Sequence, residues 1–126
     1  MKDTSQIKIH GIPRLKKAFG YSIQGLRLAW QYEDAFRLEI YVLIFGIPLA
    51  YMVGESATDY ILLIGSLLLL ITIELINSAI EAICDKVSLT TDELIGRSKD
   101  FGAAAVFVAI VTTLGTWTTI LLRNWL

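Results

Sequence analysis

The chain has 126 residues, 55% of them hydrophobic and 18% charged, with a mean hydropathy of +0.61. Its 11 basic and 12 acidic residues nearly cancel to a formal net charge of −1, which excludes nucleic-acid binding through a basic excess and a disordered acidic tail. The single cysteine excludes an internal disulfide and a cysteine-based zinc site, and the length allows one domain, residues 1–126.

The first predicted element covers residues 13–30. Leu15, Ala18, Phe19, Ser22, Leu26, Ala29 and Trp30 recur at three- and four-residue spacing, while Arg14, Lys16, Lys17, Gln24 and Arg27 fall mostly elsewhere on the wheel. The pattern predicts a basic amphipathic helix lying in the membrane interface, with Gly20 and Gly25 arguing against one uninterrupted helix. No secretory signal peptide is expected, because the first 30 residues lack an apolar core followed by a small-residue cleavage site.

Three uncharged runs follow. An apolar run of 18 or more residues reads as a transmembrane helix, since about 20 residues at 1.5 Å each cross the ~30 Å hydrocarbon core. Residues 40–54, bounded by Glu39 and Glu55, extend inward through Ala35, Phe36 and Leu38 to a span at 35–54. Pro48 lies inside it, where a kink is tolerable. Residues 60–73 form the second run, and helical apolar spacing continues through interrupting carboxylates, giving a span at 58–84. The third run, 101–122, holds no charge in 22 positions. The predicted fold is an all-α membrane protein with three transmembrane helices plus the amphipathic surface helix. Ten of the 11 lysines and arginines lie before the first span or in 86–100. The N-terminus and 86–100 are therefore expected on the cytoplasmic side, with 55–59 and the C-terminus opposite and Trp117 and Trp125 at the far interface.

Glu74, Asn77, Glu81 and Asp85 are spaced i, i+3, i+7 and i+11. At 100° per residue they fall at about 0°, −60°, −20° and +20°, on one stripe of the second span, with Ser78 at about +40°. Intramembrane carboxylates are costly and mark functional sites by default. For Glu81 and Asp85 ordinary solvated helix charge is the competing explanation, and for Glu74 an ion pair with a cation of another helix. Such a stripe can conduct protons or cations, or hold Mg²⁺ and a base for phosphoryl transfer. The outer half of the span, 61–73, offers only Ser66 and Thr72 as polar residues, which favours chemistry at the cytoplasmic face over transport.

The stretch Arg97, Ser98, Lys99, Asp100 leads into the third span, followed by Gly102, Ala103, Ala104 and Ala105. Lys99 is a suitable phosphate partner, or a topology anchor. The N-terminus of the third helix attracts anions, and the small residues permit close approach of backbones. Neither a GxxxxGK[ST] nor a GxGxxG loop is present, which excludes a soluble-type nucleotide fold. Glu33, Asp34 and Glu39 could complete a metal site with Glu81, while Arg37 could equally pair with Glu33 at i,i+4.

The pattern Glu74-x-x-Asn77-Ser78-x-x-Glu81-x-x-x-Asp85, followed by Gly96-Arg97-Ser98-Lys99-Asp100-x-Gly102-Ala103-Ala104-Ala105, resembles the prokaryotic diacylglycerol kinase family. Lys17-Ala18-x-Gly20-Tyr21-Ser22-x-x-Gly25-Leu26 and Ala29-Trp30-x-x-Glu33-x-Ala35-Phe36-Arg37-x-Glu39 extend the resemblance over nearly the whole chain. It implies a bacterial inner-membrane lipid kinase that assembles as a homotrimer, shares sites between neighbouring chains and moves the γ-phosphoryl of MgATP to a lipid hydroxyl. It implies Glu74 as general base and Asn77 and Glu39 shaping the catalytic centre. Glu33 and Glu81 would hold Mg²⁺. Arg14, Tyr21, Thr90, Thr91, Asp92, Lys99 and Asp100 would meet the nucleotide, the 90–92 match being one of position rather than residue identity. Ser22, Arg27, Trp30, Ala35, Arg37, Glu39 and Ala103 would meet the lipid.

Residues 30–37 and 96–100 look closer to the diacylglycerol branch of that family than to its undecaprenol branch. Undecaprenol kinase remains the nearer alternative, and a proton- or cation-conducting or assembly subunit the more distant one. Cys84 and His10 carry no assigned role.

Overall fold

The computed structural model describes residues 11–87 and 92–126, so His10, Thr90 and Thr91 lie outside the described residues. These form two compact units divided between Tyr32 and Glu33. All regular structure among the described residues is α-helical: α1 (Ile12–Tyr32), α2 (Asp34–Val53), α3 (Ala57–Val87) and α4 (Glu93–Trp125).

The first unit is α1. Gly11 precedes it at φ +74°, a left-handed conformation that glycine adopts without steric cost, and its carbonyl accepts from Leu15 N at 3.2 Å. The helix continues through both Gly20 and Gly25, where the sequence alone argued for an interruption. Ser22 Oγ bonds back to Ala18 O at 2.9 Å, so its hydroxyl is satisfied locally.

The second unit is the bundle of α2, α3 and α4. All three are long and apolar enough to cross a membrane, as the uncharged runs predicted. Their outward faces carry large exposed apolar side chains, among them Phe45, Met52, Ile61, Leu68, Phe107 and Leu114. Such surface is excluded from water in a bilayer. Thr72, Thr112 and Thr116 donate to carbonyls four residues back, at 2.8–2.9 Å, which removes the cost of carrying hydroxyls on those faces.

Only Gly54, Glu55 and Ser56 separate α2 from α3, so the two run antiparallel. The register of α3 against α4 is also antiparallel and holds from end to end. Lys99 meets Asp85, Gly102 meets Asn77, Thr113 meets Ser66, Trp117 meets Leu63 and Arg123 meets Asp59. The buried residues of α3 (Asp59, Leu63, Leu67, Leu70, Ile71, Glu74, Asn77, Cys84) recur mostly at steps of three, four and seven residues, the spacing of one packing stripe.

A leucine gains little by leaving lipid for another helix, so close packing and interhelical hydrogen bonds hold such a bundle together. Both are present. A Cβ on Gly46 would lie 2.6 Å from Leu67 Cδ1, so the missing side chain at 46 leaves room for the leucine methyl where α2 meets α3. Ala50, Leu63 and Ile120 form a small core with Val53, Ile64 and Trp117 around it. The Trp117 Nε1 donates to Leu63 O at 3.2 Å and its ring packs on that core.

The end of the bundle that holds the α2–α3 turn is closed by a polar clamp. Asp59, 1% exposed, accepts from Arg123, from Asn124 Nδ2 at 3.0 Å and from Glu55 N at 3.0 Å. Asn124 Nδ2 also reaches Val53 O at 2.8 Å, tying α4 to the last turn of α2. Replacing Asp59 by alanine strands these donors and should lower stability by about 2 kcal/mol. Unfolding in detergent micelles would measure it. Arg123→Gln should cost less, because the Arg123 side chain is half-exposed, and equal losses would contradict the clamp's dependence on the buried carboxylate.

Candidate active site

At the opposite end the stripe of α3 changes chemistry without leaving the packing surface. Leu63, Leu67 and Leu70 are succeeded by Glu74, 6% exposed, and Asn77, 8% exposed. Glu81 and Asp85, further toward the helix end, are exposed. Burying a carboxylate or amide costs several kcal/mol unless it is partnered, so what surrounds each group decides its role.

Glu74 is surrounded by other carboxylates. Glu81 and Glu33 act on it electrostatically, as does Glu39 of α2, and Ser78 hydrogen-bonds to it. Among the described residues no lysine or arginine forms an ion pair with it. Glu39 is half-buried, and its Oε2 is a buried atom with no hydrogen-bond partner; Asn77 Oδ1 is another. The Asn77 amide donates to Glu81 Oε1 at 3.4 Å. A Cβ on Gly102 would run into Asn77 Oδ1, so any larger residue at 102 would require the amide to shift. The small-residue run pointed to close approach, and the structure locates it at Gly102 rather than at Ala103, which is exposed.

Glu33 alone separates α1 from α2. It stands at the N-cap of α2 in extended conformation without capping through its side chain, so its carboxylate is not committed to the helix. Arg37 pairs with Asp34 of its own helix. Lys99 Nζ lies 2.6 Å from Asp85 Oδ1, joining α4 to the outer end of the stripe. Asp85 is thus partnered across helices, a relation that its position on the α3 stripe alone could not reveal. Arg97 is tied to Glu93 of its own helix at 2.6 Å. Asp92 caps α4, its Oδ1 accepting from Leu94 N at 2.8 Å and Ile95 N at 3.2 Å. The cap starts α4 eight residues ahead of the uncharged run and brings Lys99 and Asp100 into the helix.

The bundle therefore gathers Glu33, Glu39, Glu74, Asn77, Glu81 and Lys99 about one end, with Asp100 exposed nearby and Ala35 exposed near the start of α2. Arg14, Tyr21, Ser22, Arg27 and Trp30 belong to α1, the separate unit. No three histidine, cysteine, aspartate or glutamate side chains among the described residues are placed to hold a metal unaided. The available donors are nevertheless all oxygens, which suits Mg²⁺, an ion that binds one or two carboxylates and completes its shell with water and substrate phosphates.

The family model of prokaryotic diacylglycerol kinase matches residues 20–121. A protein named diacylglycerol kinase from Escherichia coli (strain K12) is 43% identical over 107 residues, covering 85% of this chain and 88% of its own. One of that name from Pseudomonas aeruginosa is 42% identical over 112 residues, 89% of this chain and 91% of its own. Another from Haemophilus influenzae is 40% identical over 110 residues, 87% of this chain and 93% of its own. The chain belongs to the prokaryotic diacylglycerol kinase family and is a lipid kinase.

Proposed function

We propose that the chain transfers the γ-phosphoryl group of ATP to the hydroxyl of diacylglycerol, giving phosphatidic acid and ADP, at the cytoplasmic face of a bacterial inner membrane. The observation that carries this reading is Glu74. It is a buried carboxylate set among other carboxylates, with no lysine or arginine ion pair among the described residues. Phosphoryl transfer asks for a positioned hydroxyl and neutralised charge rather than covalent chemistry.

Glu74 accepts the proton of the lipid hydroxyl as its oxygen attacks the γ-phosphorus. The bond to the β,γ-bridging oxygen breaks and ADP leaves with that electron pair. Asn77, held between Glu81 and Gly102, and Glu39, with its unpartnered Oε2, shape the centre around the hydroxyl. Lys99 meets the phosphates as a point charge, with Asp100 and Asp92 alongside. Glu33 and Glu81 would hold Mg²⁺, which when bound would offset the charge of the phosphates. Arg14 and Tyr21 of α1, with Thr90 and Thr91, lie along the nucleotide. Ser22, Arg27, Trp30, Ala35, Arg37, Glu39 and Ala103 meet the lipid, α1 lying in the interface as an amphipathic helix.

The N-terminus faces the cytoplasm, where ten of the 11 basic residues fall. Residues 1–126 act as one kinase domain and the working assembly is a homotrimer. A single three-span bundle leaves broad apolar faces of α2, α3 and α4 exposed, and three copies supply each site with a second set of walls. Ion conduction is not supported, because beyond Glu74 the stripe continues as buried Leu70, Leu67 and Leu63.

Purified protein in detergent, given labelled MgATP and one lipid alcohol at a time, should phosphorylate diacylglycerol. Transfer only to undecaprenol would change the substrate, and no transfer to any lipid would sink the kinase reading. Glu74→Gln should abolish turnover while leaving assembly intact, and substantial residual activity would remove Glu74 as the base. Gly102→Ala places a methyl group against Asn77. It should lower turnover about tenfold or more, since small displacements at a reacting centre are costly; an unchanged rate would show that Asn77 is not positioned by α4.

A further inference from the structure

We propose that Asp85 is a positioning residue for the nucleotide: its carboxylate holds the Lys99 ammonium at a fixed place beside the α3 stripe, so that the cation meets the phosphates already oriented. The inference rests on the reading of Lys99 as a phosphate contact and extends it by naming the group that places Lys99.

The contact joins Asp85 Oδ1 of α3 to Lys99 Nζ of α4 at 2.6 Å, across 14 residues of chain. Lysine is a compact charge on a flexible four-carbon stem with three rotatable donors. One donor on Asp85 fixes the stem and leaves two for phosphate oxygens. The side chains are 44% exposed for Lys99 and 66% for Asp85, so the pair contributes little to folding, and its effect is on where the ammonium sits.

Two neighbours make that placement matter. Glu81 also attracts Lys99, although the hydrogen bond belongs to Asp85. With Asp85 removed, Lys99 is drawn toward Glu81, the carboxylate needed for Mg²⁺ and for the Asn77 amide. Arg97 offers no substitute, because Glu93 holds it along its own helix.

The test uses the full chain in detergent. Asp85→Asn should raise KM for ATP about three- to fivefold, the size expected of losing one exposed ion pair, while KM for diacylglycerol stays unchanged. Asp85→Glu, which keeps the charge, should restore KM for ATP. Equilibrium binding of MgATP should weaken in Lys99→Met, and adding Asp85→Asn to that variant should weaken it no further. The proposal fails if Asp85→Asn leaves KM for ATP unchanged or lower, moves both KM values alike, or adds its full effect to Lys99→Met. If Lys99→Met binds MgATP as the parent does, the phosphate role of Lys99 falls, and this proposal with it.

Discussion

The bundle depends on a single stripe of α3 that changes from leucine to carboxylate without a break in spacing. Leu63, Leu67 and Leu70 pack α3 between α2 and α4, and Glu74 and Asn77 continue the same face. Because these two occupy packing positions, their surroundings are set by the bundle and not by side-chain freedom. A carboxylate is thereby held at membrane depth among Glu33, Glu39 and Glu81. Burial of that kind is costly, and the packing of the leucine half must offset it.

That constraint explains why glycine marks the closest approaches of the helices. Leucine contributes little to helix association in lipid, so stability has to come from contact distance and interhelical hydrogen bonds. Gly46 lets α2 reach Leu67, and Gly102 lets α4 reach Asn77. The first approach is apolar and structural. The second sets the position of an amide inside the candidate site, so the same packing device serves stability in one place and chemistry in the other.

Much of this was legible in the residues themselves. Three uncharged runs marked α2, α3 and α4, because crossing hydrocarbon permits few alternatives to an apolar helix. The 3–4–4 spacing of Glu74, Asn77, Glu81 and Asp85 placed them on one face by helical geometry alone. Less legible were relations between helices. The spacing within α3 cannot show that Asp85 pairs with Lys99, that Asp59 is buried beneath Arg123 and Asn124, or that Trp117 bonds to the Leu63 carbonyl. Each depends on the register of α4 against α3, which no local pattern encodes. Nor did the uncharged run reveal where α4 begins, since its start is fixed by the Asp92 cap and not by hydropathy.

The register also gives the two ends of the bundle different mechanical characters. Both ends join α3 to α4 through an aspartate and a basic residue, yet the pairs are unlike. Asp59 is buried and holds two side chains and a backbone amide, so it cannot release one partner without stranding the others. Asp85 is exposed and holds one flexible lysine. Local opening in a protein follows the regions with few buried contacts. The Asp59 end therefore resists separation of the helices, while the Asp85 end, held by one exposed contact, opens more readily. That asymmetry suits the proposed reaction, in which a soluble nucleotide and a membrane-bound alcohol would enter at one end of a short bundle while the other end keeps the three spans in register.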